Sequence, residues 1–232
     1  MNSIRQDAGV TGVTGGRRSP GWAAPAGLVL LSVVPVLAGA SRLTELASGA
    51  VVTEHNARFF AEPVPVVVHI LAVTVYSLLG AFQFAGRLRA GHGRWHRAAG
   101  RLLIPAGLLA AVSGLWMALF YALPPSDGQL LLIFRLTFGI AMTGFILAGS
   151  RALVNGNFAA HGAWMTRAYA IGLGAGTQAL ILIVPELLAT PPGVTARALL
   201  MGFGWMINLA VAEYVISRRT SKRFARGGGS AR

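Results

Sequence analysis

Five histidines are the residues of this chain best suited to proton or metal chemistry, and their neighbours sort them into groups. His92 and His96 stand with Trp95, Arg97 and Arg101 between two apolar blocks, and His161 stands with Trp164 and Arg167 between two others. Histidine is a common haem-iron ligand and titrates near neutral pH. Arginine and tryptophan beside an apolar block suit lipid phosphate and the headgroup layer. This cluster reads either as a site for an anionic ligand or headgroup, or as an interfacial belt. His69 belongs to a second group: with Tyr76 and Gln83 it recurs every seven residues, Val73 and Gly80 falling between, so all five share one helical stripe. Arg135, Glu186 and Asn208 interrupt further apolar blocks. Polar groups at such depth are costly, and serve either as substrate or proton sites or as glue between helices. An ion pair between Arg135 and Glu186, with His69 nearby, is the arrangement that would lower the cost of the arginine.

Other catalytic patterns are missing. With no cysteine, disulfides, thiolate metal sites and a cysteine nucleophile are excluded. There is no Gly-x-x-x-x-Gly-Lys loop, no His-Glu-x-x-His and no Gly-x-Ser-x-Gly. Gly172, Gly174 and Gly176 lack the strand-turn-helix setting of a nucleotide site, which leaves close helix packing as their use. A non-enzymatic role is the expectation, with no firm metal site. His96 and His161 are the pair that a single haem b would take as axial ligands; a second haem finds Arg135 where the partner of His69 should stand.

The elements that must position these residues are membrane helices. The chain is 54% hydrophobic and 12% charged, with a mean hydropathy of +0.62, outside the soluble range. Residues 22–41, 63–86 and 102–126 hold no Asp, Glu, Lys or Arg. Each reaches the roughly 20 residues that a helix needs to cross about 30 Å of hydrocarbon. Three further blocks, around Arg135, before Glu186 and between Arg197 and Glu213, bring the count to six. Nothing alternates as transmembrane strands would. The expected architecture is therefore an all-α polytopic membrane bundle. It comprises a disordered cytoplasmic N-terminus over 1–20, a transmembrane domain over 21–217 and a basic cytoplasmic tail over 218–232. Its helices fall at about 22–41, 63–86, 100–122, 129–150, 166–189 and 196–217. Ala38-Gly39-Ala40 resembles a signal-peptidase site, but the apolar block before it outruns the usual 7–15 residues of a signal peptide, so the first helix is read as retained.

Charge orients the bundle. With both termini in the cytoplasm, sixteen Lys and Arg fall on the cytoplasmic side and three, Arg42, Arg58 and Arg197, on the other. That is the positive-inside bias, repeated at every loop. It also accounts for the net charge of +13 without nucleic acid, for which no recognition motif is present. The outer loop over 42–62 is mildly acidic and either carries a short interfacial helix or caps the bundle. His92-Gly93-Arg94-Trp95 echoes His161-Gly162-Ala163-Trp164, which suggests a parallel repeat of helices two and three as four and five.

Several of these residues together resemble a bacterial family of predicted membrane proteins, domain of unknown function 2306. They are Gly80-Ala81-Phe82-Gln83-Phe84, His96-Arg97 with Gly100-Arg101, Ser113-Gly114-Leu115, His161 with Trp164-Met165 and Arg167-Ala168-Tyr169-Ala170, and Trp205 with Asn208-Leu209 and Glu213. The resemblance covers roughly residues 63–216. It implies a multi-helix protein of the bacterial plasma membrane and carries no activity with it; Gly162-Ala163 stands where that family usually has a basic residue. Three readings of function stay open: a bundle that binds or transports a small solute or lipid headgroup, a single-haem redox protein, and an accessory subunit without chemistry of its own. The expected partners are the bilayer, anionic lipid at the cytoplasmic face, and either further copies of the chain or a partner subunit.

Overall fold

The computed structural model describes residues 21–84 and 93–227. Among the described residues there is no β-strand, and eight helices follow one another: α1 Ala23–Ser48, α2 Ala57–Ala61, α3 Pro63–Phe82, α4 Gly93–Phe120, α5 Gln129–Val154, α6 Phe158–Gly172, α7 Gly174–Leu187 and α8 Val194–Gly227. α6 and α7 are two halves of one crossing interrupted at Leu173, so six segments are long and apolar enough to span a bilayer. The expected all-α membrane bundle is what the chain forms. His92 and residues 1–20 lie outside the described residues.

The helices outrun the apolar blocks that announce them. α1 continues past residue 41 to Ser48, α8 runs through the basic stretch to Gly227, and α4 starts at Gly93. Trp95, His96, Arg97 and Arg101 therefore sit on a helix rather than in a loop. Hydrophobicity sets where a helix can lie in lipid, whereas the backbone ladder stops only at a breaker, and Arg, Ala and Leu are good helix formers. The breakers are legible: Gly49 closes α1 at φ 64 with Ala50 N–H donating to the Glu45 carbonyl, Pro63 opens α3, and Gly156 follows α5 at φ 70.

α3 lies along α4 and α5 along α6 over the broadest interfaces, while α1 packs on α3 and α7, and α8 on α5, α6 and α7. The exterior is apolar, with Leu30, Ile140, Leu147 and Leu180 all exposed, as lipid contact requires. Inside, Tyr76 and Tyr169 meet at 5.6 Å between ring centroids, and glycines make room for them: Gly80 for Tyr169, Gly107 and Gly172 for Tyr76. Small residues admit this approach where no hydrophobic effect drives helices together. Most hydroxyls, such as those of Thr143, Ser150 and Thr166, donate to the carbonyl one turn back on their own helix. Bonds between helices are fewer. The Tyr169 hydroxyl donates to the Ser77 carbonyl at 2.6 Å, and the Asn208 amide donates to the Ala170 carbonyl at 3.0 Å while its oxygen accepts from Thr177 at 2.7 Å. Asn208 thus serves both halves of the interrupted helix, whose last carbonyls before a break lack full helical partners.

Because its hydroxyl is fixed, the Tyr169 ring cannot swing away from an added methyl at Gly80. Gly80→Ala should cost about 1–3 kcal/mol by overpacking, seen as a lower melting temperature in detergent. Gly100→Ala, whose Cβ would meet no atom within 4 Å, should leave it unchanged. Equal behaviour of the two variants would contradict the close packing.

Candidate functional site

A cavity of about 340 Å³ opens at the end of the bundle that carries α2 and the 121–128 turn, and runs between α3, α4, α5 and α8 toward the Leu173 interruption. That volume lies near the small end of ordinary ligand pockets, about 300–1,000 Å³. Arg58, Tyr121, Asp127 and Arg135 line its mouth; Val73, Leu115, Phe138 and Met142 form walls; Gly172, Ala175, Gln178 and Trp205 line the side formed by the interrupted helix and α8.

The mouth is built from local sequence upward. Asn56 is buried; its side-chain oxygen accepts from the Thr53 N–H at 2.6 Å and its amide donates to the Val51 carbonyl at 3.0 Å. This fixes the turn that launches α2. Phe59 meets Tyr121 edge to face at 5.6 Å, and the Tyr121 hydroxyl donates to the Glu62 carbonyl at 2.5 Å, which ties α2 to the end of α4. Burial raises the Tyr121 pKa, partly countered by hydrogen bonding to backbone. Arg58 lies over the Phe59 ring, 4.6 Å from its centroid, and so does Arg42, which pairs with Glu45. Arg58 makes no ion pair among the described residues. Burial lowers its pKa, Asp127 counters that, and Arg135 and Arg42 add to the lowering; a guanidinium so placed is still charged at neutral pH.

Asp127 is buried, its side chain 3% exposed, and accepts from Arg135 at 2.6 Å and from Arg197 at 3.2 Å. The chain turns through Pro124-Pro125 to bring this carboxylate back over the mouth. Below it, His69 Nδ1 is 2.9 Å from the Ala110 carbonyl and 3.2 Å from the Ser113 hydroxyl. A carbonyl only accepts, so Nδ1 carries the proton and Nε2 is left as an acceptor. Gln178 donates to the Met201 carbonyl at 2.9 Å, and Trp205 stacks on Phe138 at 4.7 Å.

His69 and Arg135 therefore line one cavity. The Arg135 to Glu186 pair that the sequence allows does not form: Glu186 is exposed and in no ion pair among the described residues, and Asp127 holds Arg135 instead. Tyr76 is packed with Tyr169, Gln83 lies at the opposite end with its amide nitrogen unpartnered among the described residues, and Asn208 serves the helix interruption. At that opposite end, Trp95, Arg97 and Arg101 are exposed along α4, with His96 partly buried. His161 Nδ1 lies 2.9 Å from the Gly149 carbonyl. Arg167 stacks over Trp164 at 4.8 Å and forms a bidentate pair with Glu213 at 2.5 and 2.9 Å, which matches its charge. Neither His96 nor His161 borders the cavity. Asp127, Arg58 and Tyr121 escape the sequence reading; the available signal is that Asp127 is the acid nearest to Arg135 along the chain.

Asp127 is shared by two arginines, so Asp127→Asn should destabilise more than Arg135→Gln or Arg197→Gln. The loss should be on the order of 2–3 kcal/mol, less than the 3–5 kcal/mol of a fully buried broken pair because both arginines are partly solvated. Melting curves of the three variants in one detergent check this; an asparagine variant as stable as the parent would remove Asp127 from its bridging role.

The family model described as Predicted membrane protein (DUF2306) matches residues 66–216. No curated protein and no solved structure matches the chain.

Proposed function

We propose that this chain, which belongs to the predicted membrane protein family DUF2306, binds a small solute or lipid-like molecule inside its six-span bundle and acts as a binding or carrier protein. The observation that supports this reading is the cavity itself, apolar along its walls and polar where Arg58, Asp127 and Arg135 line it, a combination typical of ligand sites. The interruption at Leu173 beside that cavity adds to the support, since discontinuous helices near the middle of a bundle form the binding sites of many carriers. The charge bias along the sequence turns the mouth away from the cytoplasm. Exposed Arg97 and Arg101 beside Trp95 then meet anionic lipid at the cytoplasmic face.

The absence of cysteine makes the reading directly testable, because any introduced thiol is the only one present. Ala175 is exposed and lines the cavity, whereas Leu180, exposed on the same helix, does not line it. In intact cells, Ala175→Cys should be modified by a small membrane-impermeant methanethiosulfonate added outside, and Leu180→Cys, facing lipid, should not. A thiol at position 175 that resists the reagent from both sides of the membrane would end the proposal.

A further inference from the structure

We infer that the occupant of this cavity is an anion-headed amphiphile, a carboxylate or phosphate on an apolar chain, with its head on Arg58 and its apolar part along Phe138, Met142 and Trp205. The inference rests on the cavity being a ligand site and names the ligand's class.

The charges at the mouth decide the sign. Three guanidinium groups, those of Arg58, Arg135 and Arg197, gather around one carboxylate, Asp127, and that carboxylate is already divided between Arg135 and Arg197. Arg58 is left as a partly buried cation with an aromatic ring beneath it and no carboxylate in ion-pair reach among the described residues. Such a group gains most from an incoming anion, because charge-assisted hydrogen bonds offset the burial it already suffers. His69 already spends its Nδ1 on the Ala110 carbonyl, which leaves a single ring nitrogen against the several N–H donors of Arg58.

The walls decide the rest of the molecule. Beneath the mouth the lining is aliphatic and aromatic apart from His69 and Gln178, and Gln178 spends its amide on the Met201 carbonyl. A small inorganic anion would leave those walls without a partner, and an organic cation would meet Arg58 head on. A molecule with one charged end and an apolar body satisfies both zones.

The experiment uses the full chain carrying Ala175→Cys in liposomes, where slowing of thiol modification reports occupancy. The probes are decanoate, decyl phosphate, decanol and decyltrimethylammonium. Decanoate or decyl phosphate should protect the thiol, and whichever protects at lower concentration identifies the head. Decanol and the ammonium should protect far less. Arg58→Gln should raise the protecting concentration of the anionic probes by about tenfold, the scale of one charge-assisted contact. Arg58→Lys should restore most of it, and Arg58→Gln should leave the decanol response unchanged, which separates head recognition from disturbance of the bilayer. Equal protection by decanol and decanoate, or an anionic response indifferent to Arg58→Gln, overturns the inference while leaving the cavity a ligand site. If the thiol at position 175 is never modified, the cavity reading itself fails.

Discussion

Arg135 on α5 and Arg197 on α8 are held together at the margin of the bundle by one buried carboxylate, Asp127, that lies between them. The gross attraction of one such pair is about 4 kcal/mol at 4 Å and an effective dielectric constant of 20. Withdrawing each ion from water costs several kcal/mol, so the net stabilisation is small and the geometric consequence is the larger one. The bridge pulls the 121–128 turn down over the bundle and fixes α5 against α8, with Gly202 admitting the Phe134 ring and Gly128 admitting Val194 at the same interface. Without this turn in place the cavity would have no defined mouth.

The opposite side of the cavity depends on a different device. Gly172, Leu173 and Gly174 end one helix and start another with a single residue between, and the three nearby glycines face three different neighbours: Gly172 faces Tyr76 and Met142, Gly174 faces the Trp205 indole, and Gly176 faces the Leu31 backbone. A side chain at Gly176 would push against the α1 backbone, and one at Gly172 or Gly174 would displace an aromatic ring. The interruption also frees polar backbone in a region with little water, and Asn208 answers it with one side chain that touches both halves.

Much of this was legible in the sequence, and the exceptions have physical causes. Apolar blocks as long as a bilayer is thick reveal six crossings whatever their tertiary contacts, and the seven-residue stripe of His69, Tyr76 and Gln83 marks the face of α3 that turns inward. What sequence alone could not give was pairing. Arg135 has several acids at its end of the bundle, and Glu186 looks well placed because it interrupts an apolar block. Asp127 wins because a Pro-Pro turn folds it back, a matter of backbone path and not of depth. Arg58 was hidden for a similar reason: in the sequence it is one cation of a short outer loop, and only the docking of α2 through Phe59 and Tyr121 brings it over the cavity. The break at Leu173 was masked by continuous hydrophobicity, since hydropathy is indifferent to whether the backbone ladder holds.

The two halves of the interrupted crossing belong to different neighbourhoods. α6 is fixed chiefly to α5, with α3 and α8 beside it and the Arg167 to Glu213 pair and the Tyr169 to Ser77 bond adding to its hold, whereas α7 rests on α8 and α1 and shares little contact with α6 itself. The end of the bundle away from the mouth is thus filled by the Tyr76 and Tyr169 pair and braced by α6, while the cavity is bounded on one side by α7, which packs in large part on α1, a helix with few buried residues of its own. A shift of α7 on α1 and α8 would therefore move one wall of the cavity, the one that carries Ala175 and Gln178, and leave the tyrosine core beneath it in place.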